Sequence, residues 1–240
     1  MHQSNAIPEG PDAPIGAGVP ERQSGVSERQ DGVSVGAGVP QGLDHIVYAT
    51  PSLEDTVAEF ARRTGVHPAP GGSHPGLGTR NHVVGLGGSA YLEIIGPDRG
   101  QPAPDHPRPF GIDGLREPVV ATWVLRPPDL DEAAARLRAL GHDPGPVRTM
   151  SRTAPDGTTL SWRLTDPAAA GLLPFLIDWG TTPHPTTAPL PQTPLTSLTL
   201  HSPTPPTPLL ASLNTHPTLQ PGPTRLTFTV TTPRGAVTFG

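Results

Sequence analysis

A chain in which cysteine is absent and all 16 basic residues are arginine has few routes to covalent chemistry. Without thiols it offers no thiolate nucleophile, disulfide, iron–sulfur cluster or zinc–thiolate centre, and without lysine no Schiff base and no phosphate-loop ammonium. Polar chemistry falls to His, carboxylates, hydroxyls and amides, or to a metal held by nitrogen and oxygen. Two apolar, strand-like runs each carry one such group: His45 in Leu43-Asp-His-Ile-Val-Tyr48, and Glu93 in Tyr91-Leu-Glu-Ile-Ile95. Strand alternation puts Leu43, His45 and Val47 on one face, and Tyr91, Glu93 and Ile95 on one face. A carboxylate in so apolar a strand is costly to bury unless it is paired, hydrogen-bonded or metal-bound. Between these runs, the glycine-rich loop Gly71–Asn81 carries His74, Thr79 and Asn81. Its backbone N–H groups, hydroxyl and amide suit a carboxylate or carbonyl oxygen of a substrate, or else these side chains satisfy the loop's own backbone.

The elements that must position these groups follow from periodicity and caps. After the first strand, Ser52 is a candidate N-cap; Leu53, Val57, Phe60 and Ala61 share a helical face, Glu54 and Asp55 occupy the first turn, and Gly65 stops the helix. Asn81–Leu86 and Ala90–Ile95 read as a hairpin joined by Gly87-Gly88-Ser89. The same grammar recurs at Val119–Leu125, followed by a helix with Asp129 and Glu132 at capping-box spacing and an apolar face of Leu130, Ala134, Leu137 and Leu140. Superposing the caps Ser52 and Asp129 without a gap puts Thr122 at the place of His45. Leu160–Leu164 and Pro174–Trp179 supply further strands, with a turn at Pro155-Asp156-Gly157 before them. Leu195–Leu200, a short helix at Thr207–Leu213 and a hairpin over Arg225–Gly240 repeat the order a third time, incompletely.

The domain organisation expected is therefore a tail over 1–41, a first βαβββ unit over 42–97, a linker over 98–117, a second unit over 118–180, an extended Thr/Pro-rich linker over 181–194, and a partial third unit over 195–240. The tail repeats Gly-Ala-Gly-Val-Pro at Gly16–Pro20 and Gly36–Pro40 and has too few large apolar side chains to offset its ordering entropy, so it is expected to be disordered. The formal charge of -5 and the lack of a basic cluster argue against nucleic-acid or anionic-membrane partners. No stretch reads as a signal peptide or a membrane span, so a soluble cytoplasmic protein is the expectation.

Leu43-Asp-His-Ile-Val, the loop Gly71-Gly-Ser-His-Pro-Gly-Leu-Gly-Thr-Arg-Asn81, Tyr91-Leu-Glu-Ile-Ile95 and Pro174-Phe-Leu-Ile-Asp-Trp179 together resemble the glyoxalase-like branch of the vicinal oxygen chelate superfamily. The resemblance covers about residues 42–180. It implies an α+β fold of repeated βαβββ units whose mixed sheets curl round a shared cavity, often with a divalent metal between the first and last strands. Relatives include isomerases, lyases, dioxygenases, epimerases and antibiotic-sequestering proteins, so the fold does not select the reaction. In the family pattern the first-strand His and last-strand Glu face the cavity, which here implies His45 and Glu93 as metal ligands, with Glu93 also moving a proton. His74 is a candidate third ligand, and two imidazoles with one carboxylate suit iron, manganese, nickel or zinc.

The second unit departs from that pattern at Thr122. Aligning Gly96 with Gly180 sets Ile177 opposite Glu93 and leaves Asp178 one residue out of register, which turns a side chain to the other face unless a bulge intervenes. Asp178 joins His74, Thr79 and Asn81 as a candidate substrate contact. The leading expectation is a metal-assisted lyase, isomerase or dioxygenase acting on a small oxygen-rich substrate, possible as a homodimer. The alternative is a non-catalytic protein that binds or sequesters an apolar compound.

Overall fold

The computed structural model describes residues 38–153, 159–169 and 171–240, all within the unit Ser34–Gly240. The first unit comprises β1 (Leu43–Ala49), α1 (Leu53–Thr64), β2 (Ala69–His74), β3 (Thr79–Gly87) and β4 (Ala90–Pro97). The second comprises β5 (Val119–Leu125), α2 (Leu130–Ala139), β6 (Arg148–Thr153), β7 (Thr159–Leu164) and β8 (Phe175–Asp178). Their strands form one eight-stranded curled sheet in the order β2-β3-β4-β1-β5-β8-β7-β6. The two units meet where β1 runs antiparallel to β5. This is the α+β architecture of paired βαβββ units that the sequence predicts.

The register at that seam is two-fold symmetric. Val47 faces Thr122 and His45 faces Val124, so exchanging the units maps His45 onto Thr122, as the gapless superposition of the caps requires. The ladder slips once on each side, between Leu43 and His45 in β1 and, at the equivalent place in β5, across Ala121. Each slip is a bulge that inserts one extra residue, Asp44 or Ala121, ahead of the residue at the His45 or Thr122 position. Leu43 consequently packs on the opposite face from His45 and Val47, among Ile46 and Tyr48, and not on the face strict alternation assigned to it.

The helices form where the caps predicted. Asp129 accepts a hydrogen bond from the Glu132 amide at 2.8 Å, while Ser52 spends its hydroxyl on Asp55 instead of on an amide. Gly65 ends α1 at φ 76, in the left-handed region. Phe60, 1% exposed, stacks on Phe239 with ring centroids 5.0 Å apart. That contact ties α1 to a second sheet, built from β9 (Leu195–His201), β10 (Thr218–Gln220), β11 (Arg225–Thr232) and β12 (Gly235–Phe239), with α3 (Thr207–Ser212) after β9. This third stretch keeps the βαβββ order along the chain but pairs differently. Its first strand lies inside the sheet, in the order β10-β9-β11-β12, whereas β1 pairs with β4 at the seam. Its apolar face, with Leu198, Leu200, Phe228 and Val230, joins Ile46, Leu92, Trp123 and the two long helices in the main core. One face of the curled sheet is thus fully covered, and the other is left to line a cavity.

Other expectations are revised. The glycine-rich stretch read as a loop contains a strand, β2, paired to β3, and β6 forms where no strand was predicted; both are edge strands whose shape comes from their partner. Residues before Gly42 already take part in the fold: the Leu198 amide bonds Gly38 O at 2.9 Å, and Val39 packs on the core. The remainder of the tail and the Pro155-Asp156-Gly157 turn lie outside the described residues. The segment 181–194, expected as an extended linker, makes a 3-10 turn at Pro185–Thr187 and bonds both sides of Gly85 through Pro191 O (2.8 Å) and the Thr193 amide (2.9 Å). Among the described residues no helix is long and apolar enough to cross a membrane.

Candidate active site

The concave face encloses a cavity of about 560 Å³, within the range of small-molecule sites. His45, His74, Asn81, Tyr91, Glu93 and Phe175 line one side, and Trp162, Trp179 and the strap 183–190 line another. Phe110, held at φ 59, also lines it; a bulky residue held there is strained, as is common at binding sites.

Glu93 is 9% exposed and has a dedicated donor. The Asn81 side-chain amide donates to its Oε1 at 2.5 Å, while Asn81 Oδ1 accepts from the Gly72 backbone N–H at 2.9 Å, which fixes the amide's orientation. A Cβ on Gly71 would lie 2.1 Å from Asn81 Oδ1, so glycine at 71 is what lets this amide reach Glu93. The second carboxylate oxygen, Oε2, faces His45 Nε2 at 3.9 Å, and His74 Nε2 is 3.9 Å from Oε1. Thr79, fully buried and not lining the cavity, bonds His74 Nδ1 at 3.0 Å. It therefore orients His74 and is not placed to contact a substrate.

His45 is held more firmly. Its ring stacks on Tyr91, its ladder neighbour on β4, with centroids 4.7 Å apart and planes inclined by 20°. Its Nδ1 lies 2.7 Å from Oδ1 of Asp44, whose other oxygen accepts from the Trp179 indole and from His184 Nε2, both at 3.1 Å. Asp44 is fully buried, and burial alone would raise its pKa; the hydrogen bonds from His184 and His45 outweigh this and hold it well below the usual carboxylate range. An ionised Asp44 can only accept, so His45 donates to it from Nδ1, and the neutral ring then directs its Nε2 lone pair at Glu93. His184 is fixed in the opposite tautomer, because its Nδ1 accepts from the Thr186 amide at 3.2 Å and Nε2 must then donate to Asp44.

The second unit carries no matching chemistry. Val47 pairs with Glu93 and its counterpart Val124 with Phe175, so Phe175, and not Ile177, occupies the place of Glu93. The positions of Asp44, His45 and Glu93 are filled by Ala121, Thr122 and Phe175. Asp178 is corrected as a substrate contact: it does not line the cavity, and it bonds the Gly180 amide at 2.8 Å and faces Arg163 at 3.6 Å. Sequence reasoning missed Asp44, Tyr91, Trp179 and above all His184, which is 9% exposed.

The donor types at Glu93, two imidazoles and one carboxylate, fit a first-row divalent ion, and Asp44 and Thr79 hold the far ring nitrogens as outer partners of metal-ligating histidines do. As they stand the side chains do not close into a ligand set: among the described residues no group of three His, Cys, Asp or Glu is close enough to hold an ion.

A family model described as a glyoxalase-like domain matches residues 43–214, which spans both units and the strap. The chain belongs to the glyoxalase-like family. No curated protein matches the sequence. Among solved structures, a hypothetical protein from Staphylococcus aureus aligns at TM-score 0.53 and 13% identity, covering 76% of this chain and 87% of that one. Methylmalonyl-CoA epimerase from Mycobacterium tuberculosis aligns at 21% identity and TM-score 0.40, covering 63% and 95%. The Streptomyces coelicolor epimerase with 2-nitronate-propionyl-CoA gives 22% and 0.40, covering 60% and 97%. At these identities the likeness is one of fold.

Proposed function

We propose that this glyoxalase-like protein is an enzyme that rearranges or cleaves a small substrate next to a carbonyl or hydroxyl group, with the reacting oxygens at His45 and Glu93. The observation that carries this reading is the Nε2 lone pair of His45, oriented by a buried carboxylate and directed at a glutamate with its own amide donor. Divalent iron, manganese, nickel or zinc is the cofactor proposed, held by His45 and Glu93 with His74 beside them. An ion bound there would supply Lewis-acid polarisation of a substrate oxygen. The chain's own groups do the rest. Asp44 keeps the proton of His45 on Nδ1, and Asn81 holds Oε1 of Glu93 and leaves Oε2 as the oxygen that would take or return a proton at a substrate carbon. Tyr91 and Phe175 flank the His45 ring and shield it from water.

A second reading, a non-catalytic protein that sequesters an apolar ligand, draws support from Thr122 and Phe175 in the second unit and from the open spacing of the donors. Titration calorimetry with Mn²⁺, Fe²⁺, Ni²⁺ and Zn²⁺ separates the two. Stoichiometric binding by the wild type, abolished in Glu93→Gln and in His45→Ala and weakening as pH falls through the histidine range, is the expected result. Silence toward all four ions would turn the assignment to the sequestering protein.

A further inference from the structure

The cavity holds one full positive charge that nothing yet described uses. Arg148 opens β6, the edge strand farthest from β2 in the sheet order, and lines the cavity with Met150, its alternate neighbour on the same strand face. Opposite them on β7, Trp162 and Leu164 line it as well, being the ladder partners of Met150 and Arg148. Arg148, itself exposed, therefore shares its strand face with an apolar and aromatic wall. Among the described residues it forms no ion pair, although Arg138 and Arg163 are bonded to Asp143 and Asp131. The other charged side chains lining the cavity are Glu93 and Asp166. Glu93 is engaged by Asn81, and Asp166 directs Oδ1 to the Ala168 amide at 2.9 Å and forms no ion pair with Arg148.

We infer that Arg148 is the anchor for an anionic group of the substrate, and that the substrate class is a carboxylic acid with an apolar, ring- or branched-chain-bearing body whose oxygen functions reach His45 and Glu93. This rests on the reading of the cavity as a small-molecule active site and adds to it the identity of the far end. A guanidinium offers two parallel N–H donors that match one carboxylate. A single arginine at the cavity, in a chain with no lysine and a formal charge of -5, suits one negative charge and not a polyphosphate. The walls between the two ends, with Trp162, Trp179 and Phe175, favour a body that is dehydrated on binding. The volume of about 560 Å³ accommodates such a molecule.

The test compares 5-oxo-5-phenylpentanoate with its methyl ester, which keeps the shape and removes the charge, and with phenyl phosphate, using titration calorimetry on the full chain. The wild type is expected to bind the acid about fivefold more tightly than the ester, a factor kept modest by the exposure of Arg148, with the preference shrinking in high salt. Arg148→Gln is expected to bind acid and ester alike at an unchanged melting temperature, and Arg148→Lys to recover part of the preference. Equal affinity for acid and ester in the wild type, a preference that survives in Arg148→Gln, or failure to bind either compound overturns the inference. Tighter, Arg148-dependent binding of phenyl phosphate overturns the carboxylate assignment. Metal titrations of the same variants keep the two readings apart: an Arg148-dependent acid preference without metal binding removes the metal reading alone, and intact metal binding without the preference removes this one alone.

Discussion

Replacing Asp44 by Asn tests the tautomer argument on which the site depends. Oδ2 of Asp44 accepts from His184 Nε2 and the Trp179 indole at 3.1 Å each and faces Arg126 Nη1 at 3.7 Å, while Oδ1 serves only His45 Nδ1 at 2.7 Å. The single carbonyl oxygen of asparagine satisfies most donors at the Oδ2 position, which turns its NH2 toward His45. Two donors cannot face each other, so His45 must shift its proton from Nδ1 to Nε2 and lose the lone pair that faces Glu93. Three charge-assisted hydrogen bonds become neutral ones at a loss of about 1 kcal/mol each. Relief of carboxylate desolvation returns part of this, leaving a net cost of about 1–3 kcal/mol. In a chain of this size that lowers Tm by about 2–4 °C per kcal/mol. Metal affinity should fall more steeply, by about 10–100-fold, as for the loss of an outer partner that fixes a ligand's tautomer. Long-range ¹⁵N–¹H correlation spectra of the imidazoles identify which nitrogen of His45 is protonated, and calorimetry with Zn²⁺ gives the affinity. A variant that keeps the proton on Nδ1, or binds Zn²⁺ as tightly as wild type, refutes the reasoning.

The same carboxylate predicts a pH dependence. Its folded pKa lies below the unfolded value, so the stability it contributes is complete above the ordinary aspartate range and is lost only as pH falls through the depressed value. The Tm gap between wild type and Asp44→Asn should stay level from neutral pH down to about pH 4 and close only in stronger acid; a gap that closes above pH 5 would contradict it. Gly71→Ala drives a Cβ against Asn81 Oδ1 and should detach the amide from Glu93, costing about 1–3 kcal/mol and weakening Zn²⁺ binding. Gly85→Ala, whose Cβ meets the end of the exposed Gln192 side chain, should be tolerated, and equal Tm losses for the two variants would remove the claim. Phe60→Ala should cost about 3–5 kcal/mol in urea unfolding, because the ring is fully enclosed between α1 and the second sheet; a loss below 1 kcal/mol would mean that α1 is not packed there.

What the sequence determined by itself was whatever short-range periodicity encodes. The strand, helix and hairpin of the first unit, their recurrence in the second, the equivalence of Thr122 with His45 and the cavity-facing sides of His45 and Glu93 follow from caps, alternation and turn glycines, all fixed within a few residues. The edge strands β2 and β6 did not follow, because Ala69-Pro-Gly-Gly-Ser-His74 has no alternation of its own and becomes a strand only by pairing with β3. Asp44 escaped notice because alternation assigns it to the helix-covered face. Only the slip of β1 against β5 turns it to the same side as His45, and a bulge belongs to two strands at once. Phe175 replaced Ile177 as the counterpart of Glu93 for the same reason, since register along β5 and β8 is a property of the pair. His184 lay in a run of Thr and Pro with no periodicity to read, 140 residues from Asp44 along the chain. The tertiary structure decided its role, because a buried carboxylate requires donors, and the folded chain brings to Asp44 whichever ones surround it.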